Sequence, residues 1–266
     1  MPEPLAAAGA ASLIRRSGNR RENLGLWFNF FLEWNFGAAP EVDKQQLHRQ
    51  APAHNLRDLL AGHMARRDRL LAEMTAAGYV CRKAEVRTES RLAAGQGNPN
   101  PVENGMTFHQ PLGFPIIPGS SLKGVAAAYA EIFEGRPRDG ESPDPDVGRV
   151  FGGSRETAGR GTVLFFDAYP APTDQPLVEC DVLTPHCGKY YGDGGRTPPA
   201  DYHSPIPNAF LTVPEGRKFR FEIAGRSAAD VELAWEWLSN ALIDLGVGGK
   251  TRAGYGRFRP VDWGNP

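Results

Sequence analysis

The 266-residue chain lacks a metal-spaced cysteine pair, a membrane-length apolar run and an appreciable net charge. Its three cysteines, Cys81, Cys180 and Cys187, form no CxxC pair and leave one over, so neither a disulfide framework nor a zinc knuckle is predicted. The nearest metal-like grouping, His186 and Cys187 with Cys180, matches no familiar ligand spacing, and no metal or other cofactor is expected. No apolar stretch reaches the roughly 20 residues that span a bilayer. The order Met1-Pro2-Glu3-Pro4, alanine-rich sequence, then Arg15-Arg16 is wrong for a secretory leader, so a cytoplasmic protein without membrane contact is expected. A formal charge of −1 argues against a general polyanion binder, though not against a local basic groove. Lysine is scarce too: arginine supplies 24 of the 30 cations, and its planar fork suits phosphate and stacking.

What the chain does have is clear periodicity. Across residues 53–77, Leu56, Leu59, Leu60, Met64, Leu70, Leu71 and Met74 recur at three and four, and Gly78 stops the run, which predicts a helix. Its polar face carries Arg57, Arg66, Arg67 and Arg69, either a solvated face or a nucleic-acid contact. Residues 1–40 hold the aromatic island Leu26-Trp27-Phe28-Asn29-Phe30-Phe31-Leu32-Glu33-Trp34, apolar surface that must pack on the body or on a partner. From Tyr79 the period becomes two: Val80, Ala84 and Val86 alternate with Cys81, Lys83, Glu85 and Arg87, as in a strand.

A loop over 91–106 and a helix over 121–133 follow. The charged, Pro-rich stretch 135–148 reads as a mobile excursion. Next come a strand over 162–169 and an irregular region over 170–207. Residues 208–213 and 218–223 flank Pro214-Glu215-Gly216-Arg217 as a hairpin would. Ser227 with Asp230, a variant of the capping box, opens a last helix burying Leu233, Ala234, Trp237, Leu238, Ala241, Leu242 and Leu245. A short strand over 257–261 ends the pattern. Allowing one extra strand in the middle hairpin, this order is α+β and ferredoxin-like. Its helices would cover one sheet face and leave the other available, as in the RNA-recognition motif. The expected division is an N-terminal extension with one amphipathic helix over 1–77 and a ferredoxin-like domain over 78–266, with an insertion at about 170–207.

Two glycine-bearing segments carry the chemistry. In Pro118-Gly119-Ser120-Ser121-Leu122-Lys123-Gly124, either Ser120 or Ser121 caps a helix, or free N–H groups, the helix dipole and Lys123 receive an anionic oxygen. The second segment, Gly246-Val247-Gly248-Gly249-Lys250-Thr251-Arg252-Ala253-Gly254-Tyr255-Gly256, has five glycines in eleven residues, which lets a backbone approach a polyanion closely. Gly249-Lys250-Thr251 is not a nucleotide loop: a Walker motif needs glycine where Asp244 stands, and this loop follows a helix instead of a strand.

Together the two segments resemble the RAMP superfamily of CRISPR proteins, whose signature is a C-terminal glycine-rich loop on a ferredoxin-like core. Asp181-Val182-Leu183-Thr184-Pro185-His186, Tyr190-Tyr191, Pro199-Ala200-Asp201, Pro205-Ile206-Pro207 and Phe210-Leu211-Thr212-Val213 are similar to the head-end RAMP subunits of type III-B (Cmr) effectors. The resemblance covers roughly residues 79–260. It implies a subunit that caps the backbone filament, binds CRISPR RNA and target RNA, and touches the other backbone and head Cmr subunits. Carried onto this chain, Ser120, Ser121, Lys123 and Gly124 would grip the RNA backbone, and Gly248, Gly249, Lys250, Arg252 and Gly254 would line the same groove. Such contacts position a strand without reading its bases. Within the insertion, His186, Lys189, Tyr190 and Tyr191 either touch RNA or order a long loop. Arg82, Arg87 and Arg91 lie on or after the first strand, and Arg91 is a candidate phosphate contact. Some RAMP relatives cleave RNA, which needs a base and an acid near the reacting bond. Of the six histidines only His109, just before the phosphate corner, is a candidate. The expectation is a protein without catalytic residues. A nuclease and an assembly protein without RNA contact are the alternatives.

Overall fold

The computed structural model describes residues 56–98, 104–137, 144–153, 159–184, 187–200 and 207–259, with positions 3–4, 23, 25, 33–34 and 205. Most of the aromatic island lies outside the described residues. Just before it, Asn23 donates to the Gln110 carbonyl at 2.6 Å, and Gly25 lies so close to Phe108 that a Cβ would stand 2.6 Å from that ring's Cβ.

The molecule is an α+β assembly around an antiparallel sheet. In chain order its elements are α1 (Arg57–Ala76), β1 (Val80–Arg87), α2 (Gly119–Phe133), α3 (Pro145–Phe151), β2 (Val163–Phe165), β3 (Tyr169–Pro170), β4 (Glu179–Leu183), α4 (Gly188–Gly192), β5 (Asn208–Thr212), β6 (Lys218–Gly225) and α5 (Ala228–Asp244). β6 is central, with β1 on one side and β2 and β3 on the other. The predicted last strand shrinks to one bridge, Phe258 to Thr88, so it adds an edge beyond β1.

α2 and α5 pack together against one face. Phe219, Phe221 and Ile223 of β6 are fully buried, each contributing roughly 1.5–3 kcal/mol relative to exposure. Gly119 permits this packing, because a Cβ there would collide with the Phe165 carbonyl. Ser227 caps α5, accepting from Asp230 N at 3.3 Å. Asp230 does not reciprocate as a capping box would; its carboxylate takes Arg149 at 2.9 Å and Thr162 at 2.7 Å.

Four expectations are corrected. First, the opposite sheet face is not left available. The alternate β6 residues Arg220 and Glu222 are buried and face α1. Arg67 Nε donates to Glu222 at 2.8 Å, and Arg220 donates to Asp68 at 2.6 and 3.2 Å. Arg220 Nε also stands 2.7 Å from Glu222 Oε1 as an ion pair without hydrogen-bond alignment. Helical spacing gives Arg67 a polar position, but only the docked sheet gives it a buried partner. Leu60, Met64 and Leu71 of α1 are buried, while Leu59 and Leu70 remain exposed.

Second, 208–213 and 218–223 do not form a hairpin. β5 pairs with β4, whereas β6 pairs with β1, and the chain changes sheets at the intervening turn. Third, the supposedly irregular 170–207 contains β4 and α4. Fourth, the end of the charged excursion starts α3, which is capped by Asp144 with Pro145 at its first turn, runs on to Phe151 and buries Val147, Val150 and Phe151. The Asp-Pro pair was the available signal, since proline suits the first helical position.

Candidate nucleic-acid interface

The glycine segment has almost no regular structure of its own, only the 3-10 turn Thr251–Ala253. Gly246, Gly248, Gly254 and Gly256 all hold positive φ. Gly248 is a close approach as well, since a Cβ there would stand 2.6 Å from the Ala93 carbonyl. Lys250 takes φ 60° without being glycine, and no other described non-glycine residue has a positive φ. Such a conformation is sparsely populated by side-chain-bearing residues and clusters where function over-determines it.

A hydrogen-bonded ladder joins this loop to the start of α2. Gly249 N donates to Ala93 O, Thr107 N to Ala94 O and Ile116 N to Thr107 O, at 2.7, 2.9 and 3.1 Å. The two segments are thus linked through residues 93–94 and 107. Ser120 and Gly124 are exposed on α2, Ser121 and Lys123 half-buried; in the loop, Gly248, Arg252 and Gly254 are exposed and Gly249 and Lys250 half-buried. No described carboxylate pairs with Arg252.

The α2 start differs from its expectation. Pro118 occupies the cap position, and neither serine side chain caps the helix. Gly119 N donates instead to Asp167 Oδ1 at 2.7 Å, and Ser121 N to Pro118 O at 2.9 Å. The protein's own carboxylate thus occupies part of the anion-binding corner.

Other candidates are engaged or set aside. Arg91 donates to Glu179 at 2.6 Å and to Asp181 at 3.1 Å, and these carboxylates raise its pKa. Arg82 pairs with Glu232 at 2.7 Å, and Arg87 reaches the Gly216 carbonyl at 3.5 Å. His186 lies outside the described residues. Lys189 falls in α4, beside the exposed Tyr190 and Tyr191, whose rings meet edge-on at 5.3 Å.

Sequence reasoning missed the role of Tyr255. Its hydroxyl donates to Asp181 at 2.6 Å, and its ring stands 5.9 Å from Phe210. Burial first, then the Asp181 hydrogen bond, pushes its pKa up to about 12. Lys250 Nζ lies 5.1 Å from the Phe210 centroid, a cation–π contact. Beside these residues opens a groove of about 580 Å³ lined by Glu89, Arg91, Glu179, Glu215 and Tyr255 among others.

His109 sits in a packed aromatic cluster under α1. Its ring is 5.4 Å from His63 and 5.1 Å from Phe114; His63 is 4.3 Å from Tyr169. Burial, then His109 and three arginines, hold His63 down to about 4, and burial lowers His109 as well. Near neutral pH the His63 imidazole is therefore uncharged. No group of three or more potential metal ligands occurs among the described residues, and no described helix is long and apolar enough to cross a membrane.

The family model of the RAMP superfamily matches residues 85–259. The CRISPR system Cmr subunit Cmr6 of Pyrococcus furiosus is 32% identical over 226 residues, covering 65% of this chain and 66% of the relative. The Cmr6 subunit of Saccharolobus solfataricus is 28% identical over 163 residues, covering 59% of this chain and 48% of that one. The match thus spans slightly under two thirds of the first relative and about half of the second. A chain in the cryo-EM structure of a type III-B Cmr-beta complex bound to cognate target RNA superposes with a TM-score of 0.66. It is 24% identical, over 82% of this chain and 71% of that one, a likeness of fold.

Proposed function

Because this chain belongs to the RAMP superfamily, we propose that it is a non-catalytic RNA-binding subunit of a type III-B CRISPR ribonucleoprotein. In this reading it caps the backbone filament and holds the 3′ part of the CRISPR RNA while a target RNA pairs with it. Its partners are the other Cmr backbone and head subunits, in the cytoplasm. The strand order, with Phe258 beside β1, β6 next and β2 outermost, supports a ferredoxin-like core over 78–266. The 1–77 extension contributes α1 as a cover for that core.

The observation that supports the reading is the run of hydrogen bonds from Gly249 through Ala93, Ala94 and Thr107 to Ile116, which ties the glycine loop to the segment leading into α2. Exposed Arg252 with Lys250, and Lys123 with Ser120, suit phosphates spaced along one strand. His63, buried and held down to about 4, is a poor proton donor to a leaving oxygen near neutral pH, which fits a binding role.

Replacing Lys123, Lys250 and Arg252 together by alanine in a reconstituted complex tests it. Guide RNA should be lost with assembly intact, and the salt dependence of binding should flatten by up to about three phosphate contacts. Unchanged RNA affinity would leave the scaffold reading. For the nuclease alternative, His109→Ala should abolish a cleavage product; an unaltered product pattern ends that idea.

A further inference from the structure

A loop with five glycines cannot hold one conformation by itself, because glycine loses more backbone entropy on ordering than any other residue. Something outside the loop must set it. Backbone bonds to Ala93 and Arg91 do part of this, and the side-chain contacts come from the inserted two-stranded sheet β4–β5. Asp181 of β4, whose side chain is 15% exposed, accepts both from Tyr255 in the loop and from Arg91. Phe210 of β5 meets the Tyr255 ring and lies under the Lys250 ammonium. Gly256 N donates to the Arg91 carbonyl at 2.8 Å, and Tyr255 N reaches the Lys250 carbonyl at 3.3 Å. Asp181 therefore links the insertion, the segment after β1 and the glycine loop.

We propose that Asp181 is a positioning residue: through Tyr255 and Arg91 it lets the β4–β5 insertion preset the glycine loop for an RNA phosphodiester backbone. This rests on the RNA-binding reading given above. The geometry makes a counter-intuitive sign. Asp181 is an anion next to a polyanion site, so by charge alone its removal strengthens RNA binding. If it positions the loop, its removal weakens binding, because the ordering of the loop must then be supplied on association.

The test measures binding of a fluorescein-labelled single-stranded guide RNA to the full chain and to Asp181→Ala, Tyr255→Phe and Glu215→Gln. Tyr255→Phe keeps every charge and the ring on Phe210, and removes one charge-assisted hydrogen bond. Asp181→Ala and Tyr255→Phe should each weaken binding by roughly tenfold. Glu215→Gln, which removes a charge from the same groove without touching Tyr255, should leave binding unchanged or slightly tighter. Ultraviolet titration should show the Tyr255 pKa falling from about 12 towards its ordinary value in Asp181→Ala. Equal or tighter binding by both loop variants, with the wild type binding normally, overturns the positioning role and leaves the RNA reading intact. A wild-type chain that binds no RNA overturns the RNA reading itself. If Asp181→Ala does not fold, Tyr255→Phe alone decides.

Discussion

Glu222 is 1% exposed and carries its charge into the interface between α1 and the sheet. Replacing it with glutamine keeps the shape and removes the charge. Arg67 then loses its described carboxylate partner, and Arg220 keeps only Asp68, half-exposed at the rim. The Arg67 and Arg220 side chains are 12% and 7% exposed, so water cannot fully replace what is lost. Breaking a buried ion pair by removing one partner costs about 3–5 kcal/mol, whereas an exposed pair is worth at most about 1 kcal/mol. Glutamine can still accept one hydrogen bond, which places the expected loss near 3 kcal/mol, or roughly 6–12 °C in Tm for a domain of this size. Urea denaturation gives the free energy, and limited proteolysis reports whether α1 leaves first. Replacing Arg67, Arg220 and Glu222 together with leucine or methionine should recover most of the loss, since no charge is left buried without a partner. A Glu222→Gln loss below about 1 kcal/mol would refute the buried-network argument, and so would a triple variant less stable than the single one.

His63 gives a pH prediction with a definite sign. Its folded pKa of about 4 lies below the ordinary 6.5, so the unfolded chain takes up the extra proton between those values. The contribution is complete above pH 6.5 and shrinks as pH falls towards 4, by roughly 3 kcal/mol at the acid limit. His63→Leu should flatten the acid limb of the urea midpoint against pH, and an identical limb in both proteins excludes this cause. Lys250→Gly should be more stable than Lys250→Ala by about 1 kcal/mol, because only the backbone strain at φ 60° separates them; equal melting curves would mean the conformation is unstrained. Two glycines of α2 should respond oppositely in thermal melts. Gly119→Ala collides with the Phe165 carbonyl and should lose about 2 kcal/mol or more. Gly124→Ala meets nothing within 4 Å and should gain up to about 1 kcal/mol.

The principal elements were legible because their signals are local. α1, α2, α5 and β1 each bury a face whose spacing is written in consecutive residues, and each was expected within a few positions of where it lies. The glycine loop and the position of the α2 start were legible as well, since glycine density and a Pro-Gly-Ser-Ser start need no tertiary context, but which group satisfies that helix start was not. α3 was missed although Asp144-Pro145 announced it, because charge and proline on either side mimic a loop. The false hairpin at 214–217 shows a deeper limit. A turn between two strands states that the chain reverses, not which strand each one pairs with, and β5 and β6 bond in different sheets.

The amino-acid order alone determined α1, α2, α5 and β1, the α+β class and the two glycine-bearing segments. Only the tertiary structure decided that α1 closes the second sheet face, that Asp167 occupies the α2 entry, and that Arg91 and Tyr255 converge on Asp181. The reason is physical. Periodicity depends on neighbours within a few residues, whereas a charge finds its partner across 48 to 155 positions, through packing that no local pattern encodes.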